Sequence, residues 1–266
     1  MRAMSSLIVA ERVARALSGG SAWRHRDRRV REAATTAGED PRDRTGRILG
    51  RMTSAPSPAP AVGLLFVFDM DDVLYDHDWR GPADRITEAT GHDLAELRRR
   101  WYNDDGEWAA EAGRLDADSY LPAFCAAVGV ELDEDEWVRR RRASMTVRPQ
   151  ALEAVARARE AGRITLLTNN NALAARHLPT LAPELVPLFG REHLRTSSGY
   201  GARKPDPAVF RGVLAAYGHP AARTFFADDR IDNVESARGL GITGHHVQGD
   251  GDLLPAVERF IAAQRG

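Results

Sequence analysis

LLFVFDMDDVLYD (residues 64–76) opens with five apolar residues and then turns acidic. A short, uninterrupted apolar run bounded by polar residues is the pattern of a strand buried on both faces of a parallel sheet. Asp69 and Asp71 follow the run at once, with Met70 between them. At an extended strand end alternate side chains share a face, so these two carboxylates point the same way. Such a pair repels unless one member is protonated or a cation lies between them. Acidic residues also favour turns for local reasons, so the pair alone reads equally well as a site or as a loop.

Working outward, the same pattern recurs. PQALEAVARAREAG (149–162) predicts a helix with Pro near its start and Gly after its end. RITLLTNN (163–170) reads as a second strand and HLRTSS (193–198) as a weaker third. DPAVFRGVLAAYG (206–218) is helical, RTFFADD (223–229) is another strand ending in acids, and IDNVESARGLG (231–241) is the helix after it. ITGHHV (242–247) and LLPAVERFIAAQ (253–264) close the series as strand and helix. Alternating strands and helices imply a parallel sheet with helices on both faces. One segment breaks the alternation. From Asp78 to Thr146 only helical patterns occur: PADRITEATG, DLAELRRRWYND, ADSYLPAFCAAVG and EDEWVRRRRASM. The organisation expected is an α/β core over 62–77 and 147–266, with a small all-helical unit over 78–146 inserted after the first strand.

The first 61 residues differ from the rest. They hold many Arg, no Lys and the spacer SAPSPAPA (54–61), and they read as a disordered N-terminal extension. An Arg-rich, Ser-containing stretch also fits a targeting peptide, and Met52 is expected as the natural start because the compact pattern begins soon after it. The chain is 266 residues long, 43% hydrophobic and 28% charged, with a formal net charge of −1. That balance argues against nucleic acid or an anionic membrane as partner. No apolar run reaches the ~18 residues of a membrane span. Cys125 is the single cysteine and reads as a small buried hydrophobe in a reducing, cytoplasmic setting. The oligomeric state is not legible.

In an open α/β sheet, ligands bind beyond the carboxyl ends of the strands, so the residues ending each strand are the ones to compare. The first strand offers Asp69 and Asp71. The second offers Thr168 and Asn169, followed by Asn170 and Asn171, which also suit helix capping. Next comes GARKPDP (201–207), whose Lys204 is the only lysine among 37 Lys and Arg residues. Pro205 and Pro207 favour an extended residue followed by a helix start, which stiffens the loop around the ammonium. The last offers Asp228 and Asp229. Oxygen ligands clustered without His or Cys call for a hard cation, Mg²⁺ being the best match. A cation, an ammonium, a hydroxyl and loop N–H groups together favour an anion such as phosphate.

FDMDDVLYD, LLTNN, GARKPDP and FFADDRIDNVESARGLG resemble, in order, the four signature motifs of the haloacid dehalogenase superfamily of hydrolases. AAEAGRLDADSYL (109–121), within the helical insert, is similar to a cap segment of the helical-cap (C1) subclass. The resemblance implies a Rossmann-like core, an inserted helical cap, and a Mg²⁺-dependent phosphatase of a small phosphorylated metabolite. It assigns Asp69 as the nucleophile that forms an aspartyl-phosphate, and Asp71 as general acid and then base. Thr168, Asn169 and Lys204 would hold the phosphoryl group, with Lys204 bridging it to Asp69. Mg²⁺ would be held by Asp69, the Asp71 backbone carbonyl and Asp229, with Asp228 behind them or acting through water.

Three other activities share the framework: a 2-haloacid dehalogenase, a phosphomutase and a non-catalytic binding protein. The dehalogenase needs neither Asp71 as an acid nor a metal, and intact catalytic residues argue against mere binding. Trp79, Arg80, Trp101, Tyr102 and Trp108 fit either a substrate pocket or the core of the helical unit, and the core is the reading preferred for the aromatics. Arg98–Arg100 and Arg139–Arg142 read as solvated helix faces.

Overall fold

A computed structural model describes residues 63–249 and 251–265. The extension over 1–61 and the start expected at Met52 lie outside the described residues. The strands, in chain order, are β1 (Leu64–Phe68), β2 (Tyr75–His77), β3 (Met145–Val147), β4 (Gly162–Leu166), β5 (Thr224–Asp228) and β6 (Thr243–His246). Four of them form one parallel sheet in the order β4-β1-β5-β6. β1 is central, and every residue of it is buried.

Alternation along β1 feeds two apolar layers. Leu64, Phe66 and Phe68 point into a layer with Leu152 and Val155 of the helix Pro149–Ala161 and with Val257 and Phe260 of the helix Leu253–Ala263. Leu65 and Val67 point the other way, toward Val209, Phe210 and Val213 of the helix Pro207–Tyr217 and Val234 and Ala237 of the helix Ile231–Gly239. Helices therefore cover both faces, as the continuous apolar run requires. Burying each such Phe or Leu contributes about 1.5–3 kcal/mol. Gly162 begins β4 where a Cβ would collide with the Leu64 carbonyl oxygen, so only glycine lets the two strands approach.

Two expectations need correction. HLRTSS forms no strand: residues Arg191–His193 and Ser197–Tyr200 are 3₁₀ turns, and the stretch meets the sheet only through an isolated bridge between Thr168 and Thr196. Its polar side chains bond elsewhere instead, Thr196 Oγ1 locally with Ser198 Oγ at 2.7 Å and Ser197 Oγ to the Glu111 carbonyl of the helical segment at 2.7 Å. Such bonds compete with a ladder. The insert, in turn, is not purely helical. β2 and β3 pair antiparallel as a short ribbon, Tyr75 opposite Val147, through which the chain both leaves and rejoins the sheet layer.

Between the ribbon strands lie helices Arg80–Thr90, Leu94–Arg100, Glu107–Glu111, Ala117–Val128 and Glu134–Ala143. Asp93, Asp116 and Asp133 each accept a hydrogen bond from the backbone N–H three residues on, which starts three of these helices. Ile86, Leu97, Trp101, Tyr120 and Phe124 make a core of their own, joined by Leu173 from the helix Ala172–Leu181. Among the described residues no helix is long and apolar enough to cross a membrane.

Candidate active site

The site begins with the buried lysine. Lys204 is 1% exposed, and its Nζ donates to the Leu167 carbonyl at 2.9 Å and to Asp228 Oδ2 at 2.6 Å, and lies 2.9 Å from Asp69 Oδ1. Each partner sits at the end of a strand: Leu167 just after β4, Asp69 just after β1 and Asp228 closing β5. Parallel pairing holds these ends level, with Leu167 N–H on the Phe68 carbonyl and Asp69 N–H on the Ala227 carbonyl. Asp206 caps the helix that follows the lysine loop, and Pro207 opens it, as the sequence predicts.

Two carboxylates, Asp69 and Asp228, pair with this one ammonium, and a third, Asp229, lies beside them. Single oxygens of Asp69, Asp228 and Asp229 all lie within 4.8 Å of one another. Burial, reinforced by the Asp228 charge, holds the Asp69 carboxyl well above the usual carboxylate range despite Lys204. Burial likewise raises Asp229 to about 6, and Asp228 adds to the rise. Burial pulls the Lys204 ammonium down, but the Asp228 and Asp69 carboxylates outweigh it and leave the group above its ordinary value. The cluster carries more negative charge than its lysine balances, and its donors are all oxygen. A divalent hard cation fits that set.

Asp228 and Asp229 are not equivalent. Asp228 is fully buried, and besides Lys204 it accepts from the Arg230 backbone N–H at 2.9 Å and from Asn233 Nδ2 at 2.8 Å. Asp229 is only partly buried. Its neighbour therefore has its oxygens engaged by protein donors, while Asp229 presents the more open carboxylate.

Asp71 is held by residues that sequence reasoning missed. Arg141 Nη2 lies 2.6 Å from Asp71 Oδ2, and the His77 ring is 3.9 Å from Oδ1. Burial opposes ionisation of Asp71, but the Arg141 guanidinium and then His77 outweigh it and hold the carboxyl below its ordinary value. Asp71 Oδ1 is buried with no hydrogen-bond partner among the described residues. The arginine run at 139–142 is thus not uniformly a solvated face. The Arg139 side chain is 71% exposed, whereas that of Arg141 is 12% exposed, turned inward by its place on the helix Glu134–Ala143.

Thr168 is buried, and its hydroxyl accepts from Asn170 Nδ2 at 2.8 Å. The Asn169 side chain has a structural task beside the one expected. Its side-chain amide pairs reciprocally with the Lys204 backbone, N–H to Oδ1 and Nδ2 to the carbonyl, both at 2.9 Å. It locks the lysine loop to the β4 end. Asn171 caps the helix Ala172–Leu181 and also donates to Glu107 at 3.0 Å.

A cavity of about 550 Å³ runs from Asp71 and Asn169–Asn171 into the helical segment. Trp79, Tyr102 and Trp108 line it, whereas Trp101 is buried in the segment's core. The preference for core packing is therefore corrected for three of the four aromatics. Glu107 and Glu111 fasten the segment to the strand ends. Glu107 accepts from Trp101 Nε1, Tyr120 OH and Asn171 Nδ2, and Glu111 takes the Arg203 Nε at 2.5 Å.

Burial lifts Glu111 to about 7 against an ordinary value of 4.5, even with Arg203 beside it. A folded value above the unfolded one means this residue's stabilising contribution is complete below pH 4.5 and fades as pH rises through about 7. Glu111→Gln is expected to flatten the loss of stability between those two values by up to about 3 kcal/mol. Denaturant melts across that window check it, and an unchanged pH slope in the variant overturns it.

Residues 64–241 match the haloacid dehalogenase-like hydrolase family. The chain belongs to that family. A phosphatase of Mycobacterium tuberculosis is 31% identical over 210 residues, covering 74% of this chain and 93% of its own. Among solved structures, this haloacid dehalogenase-like hydrolase is similar to a family enzyme of Bacteroides thetaiotaomicron crystallised with magnesium and inorganic phosphate. That match has a TM-score of 0.59 at 18% identity and covers 71% of this chain and 96% of the other. It is also similar to a 2-haloacid dehalogenase of Pseudomonas syringae pv. Tomato, with a TM-score of 0.51 at 19% identity over 77% of this chain and all of the other. At these identities the two structures speak to the fold alone.

Proposed function

We propose that this hydrolase is a Mg²⁺-dependent phosphatase of a small phosphorylated metabolite, working through an aspartyl-phosphate at Asp69. The observation that carries the reading is the junction of Asp69, Asp228 and Asp229 at two adjacent strand ends with Lys204 from the loop beside them, and Asp71 two residues beyond Asp69. The phosphatase relative from Mycobacterium tuberculosis and the magnesium and phosphate bound by the Bacteroides enzyme support it. Asp69 and Asp229, with the Asp71 backbone carbonyl, would hold the Mg²⁺, and Asp228 would position Lys204 and the loop behind it. When bound, the ion supplies positive charge that lets the carboxylates stay ionised and offsets charge on the phosphoryl oxygens.

In the first half-reaction, which needs Asp71 to enter protonated against the pull of Arg141 and His77, an Asp69 oxygen attacks phosphorus, the ester P–O bond breaks and Asp71 gives its proton to the leaving alkoxide. In the second, Asp71 takes a proton from water, whose oxygen attacks the phosphorus of the aspartyl-phosphate and frees Asp69 and inorganic phosphate. The bare Asp71 Oδ1 is the atom we assign to that proton. Lys204, Thr168 and the loop N–H groups would orient the phosphoryl group, and the helical segment would act as the cap that encloses it. A dehalogenase needs no proton for a departing halide, so Asp71 and the acidic trio speak against that reading. Phosphate release from a panel of esters, abolished by a chelator, tests the proposal.

Metal binding has a readout of its own. A ligand of the folded state at about a hundred times its Kd adds about 2.7 kcal/mol. Saturating Mg²⁺ is therefore expected to raise Tm by about 5 °C or more. Asp229→Asn is expected to remove most of that rise, as read by calorimetry. An equal rise in that variant refutes the assignment of Asp229.

A further inference from the structure

Trp79, Leu94, Tyr102 and Trp108 are between 38% and 46% exposed, and with Ile231 they are the exposed large hydrophobic residues among those described. Scattered exposed apolar residues need no explanation, but a cluster does. All four line the cavity that opens onto Asp71, and Ile231 follows Arg230, which lines it too. Ile86, Leu97 and Phe124 continue the apolar wall inward. Apart from Ile231, these residues come from helices Arg80–Thr90, Leu94–Arg100, Glu107–Glu111 and Ala117–Val128 and the residues flanking them, away from the strand ends.

Most charges along this wall are already matched. Arg141 pairs with Asp71, Arg140 with Glu136 and Arg230 with Asp232. Glu111 is held by Arg203, whose guanidinium also lies 5.2 Å from the centre of the Trp108 ring. Glu107 is occupied by its three donors, and Arg98 is exposed. A polyhydroxylated group entering here would meet few partners beyond Arg98, the Tyr102 hydroxyl and the indole N–H groups of Trp79 and Trp108, and would give up more hydrogen bonds to water than it regains, which costs affinity.

We infer that the substrate is a monophosphate ester with an apolar alkyl or aryl leaving group, seated against Trp79, Leu94, Tyr102 and Trp108, rather than a sugar or nucleoside phosphate. The inference rests on the phosphatase reading and narrows it. The phosphoryl end meets Asp69 and Lys204, and the hydrocarbon fills the cavity between the strand ends and the helical segment. Each methylene moved from water onto that wall is worth about threefold in kcat/KM.

The test is a series of n-alkyl phosphates from ethyl to octyl, with sugar and nucleoside monophosphates alongside, using the full chain with Mg²⁺. The expected result is a rise of about threefold per methylene until the cavity fills, with octyl phosphate preferred over hexose phosphate by about 100-fold or more. Leu94→Asn and Trp108→Ser, both at exposed positions, are expected to flatten the slope to under about twofold per methylene. Calorimetric binding of unhydrolysed n-alkyl phosphonates should show the same chain-length dependence. A flat series, or faster turnover of hexose phosphates, overturns the apolar leaving group and leaves the phosphatase reading standing. If no ester is hydrolysed faster than by Asp69→Asn protein, the phosphatase reading fails. The phosphonates then decide the cavity: binding that strengthens with chain length supports it, and binding independent of chain length overturns it.

Discussion

Asp69→Asn is expected to stay folded while kcat for phosphate release falls by at least about 10⁴-fold. The loss is chemical: an amide oxygen is a poor nucleophile and cannot form the acyl-phosphate, and removing a nucleophile costs factors of this order. The fold should not suffer. Burial first, and Asp228 second, hold the Asp69 carboxyl well above its ordinary value of 3.8. With the folded value raised, the group's stabilising contribution is complete below 3.8 and is lost as pH rises through the folded value. At neutral pH, asparagine therefore removes a buried charge that Asp228 already disfavours, and it matches the side chain in size. Tm at or above that of the parent protein, with phosphate release at background, is the expected pair of readings. Turnover above about one per cent of the parent rate would refute Asp69 as the nucleophile.

Lys204→Met is expected to have the largest effect on stability. Methionine keeps the stem and deletes the charge, which leaves Asp69 and Asp228 buried together with no counter-ion. Removing one partner of a buried ion pair costs about 3–5 kcal/mol. The carboxylates hold the Lys204 ammonium above its ordinary 10.5, so its contribution is present throughout neutral pH and fades only as pH rises through the folded value. The melt should therefore fall by about 10 °C without added Mg²⁺. Lys204→Arg separates charge from shape. The Nζ already meets three acceptors at 2.6–2.9 Å in a site that is 1% exposed. A planar guanidinium keeps the charge but not that geometry. Arginine should restore part of the stability and lose most of the turnover. A Met variant within about 1 kcal/mol of the parent would return Lys204 to an incidental charge.

The strand ends were legible because burial on both faces writes an unbroken apolar run, and LLFVF and TFFA are such runs. The groups that follow them, Asp69, Lys204, Asp228 and Asp229, do converge. The β2 and β3 ribbon was not legible. Each strand has three residues, and they pair across the whole helical segment, so no local period announces them. Arg141 was hidden for a related reason. Four consecutive arginines look alike in sequence, and only the rotation of their helix decides which one reaches Asp71. Trp101 and Tyr102 make the same point, being adjacent in sequence yet one in the core and the other on the cavity wall. Asn169 shows what a motif leaves unsaid, because nothing in the sequence announces that its side chain ties the lysine loop to the end of β4.

The ribbon has a consequence for how this chain can change over time. Tyr75 lies opposite Val147, and the Asp78 N–H donates to the Ser144 carbonyl at 2.8 Å, so the excursion through five helices starts and finishes at neighbouring points. To the sheet, those helices are a closed loop of almost any length. Residues can be gained or lost between Trp79 and Ala143 without moving Asp69 relative to Lys204 or Asp228, because the register of β1, β4 and β5 does not pass through them. The wall that selects a leaving group is thereby free to drift so long as Arg141 still reaches Asp71, while Asp69, Lys204 and Asp228 stay where the sheet puts them.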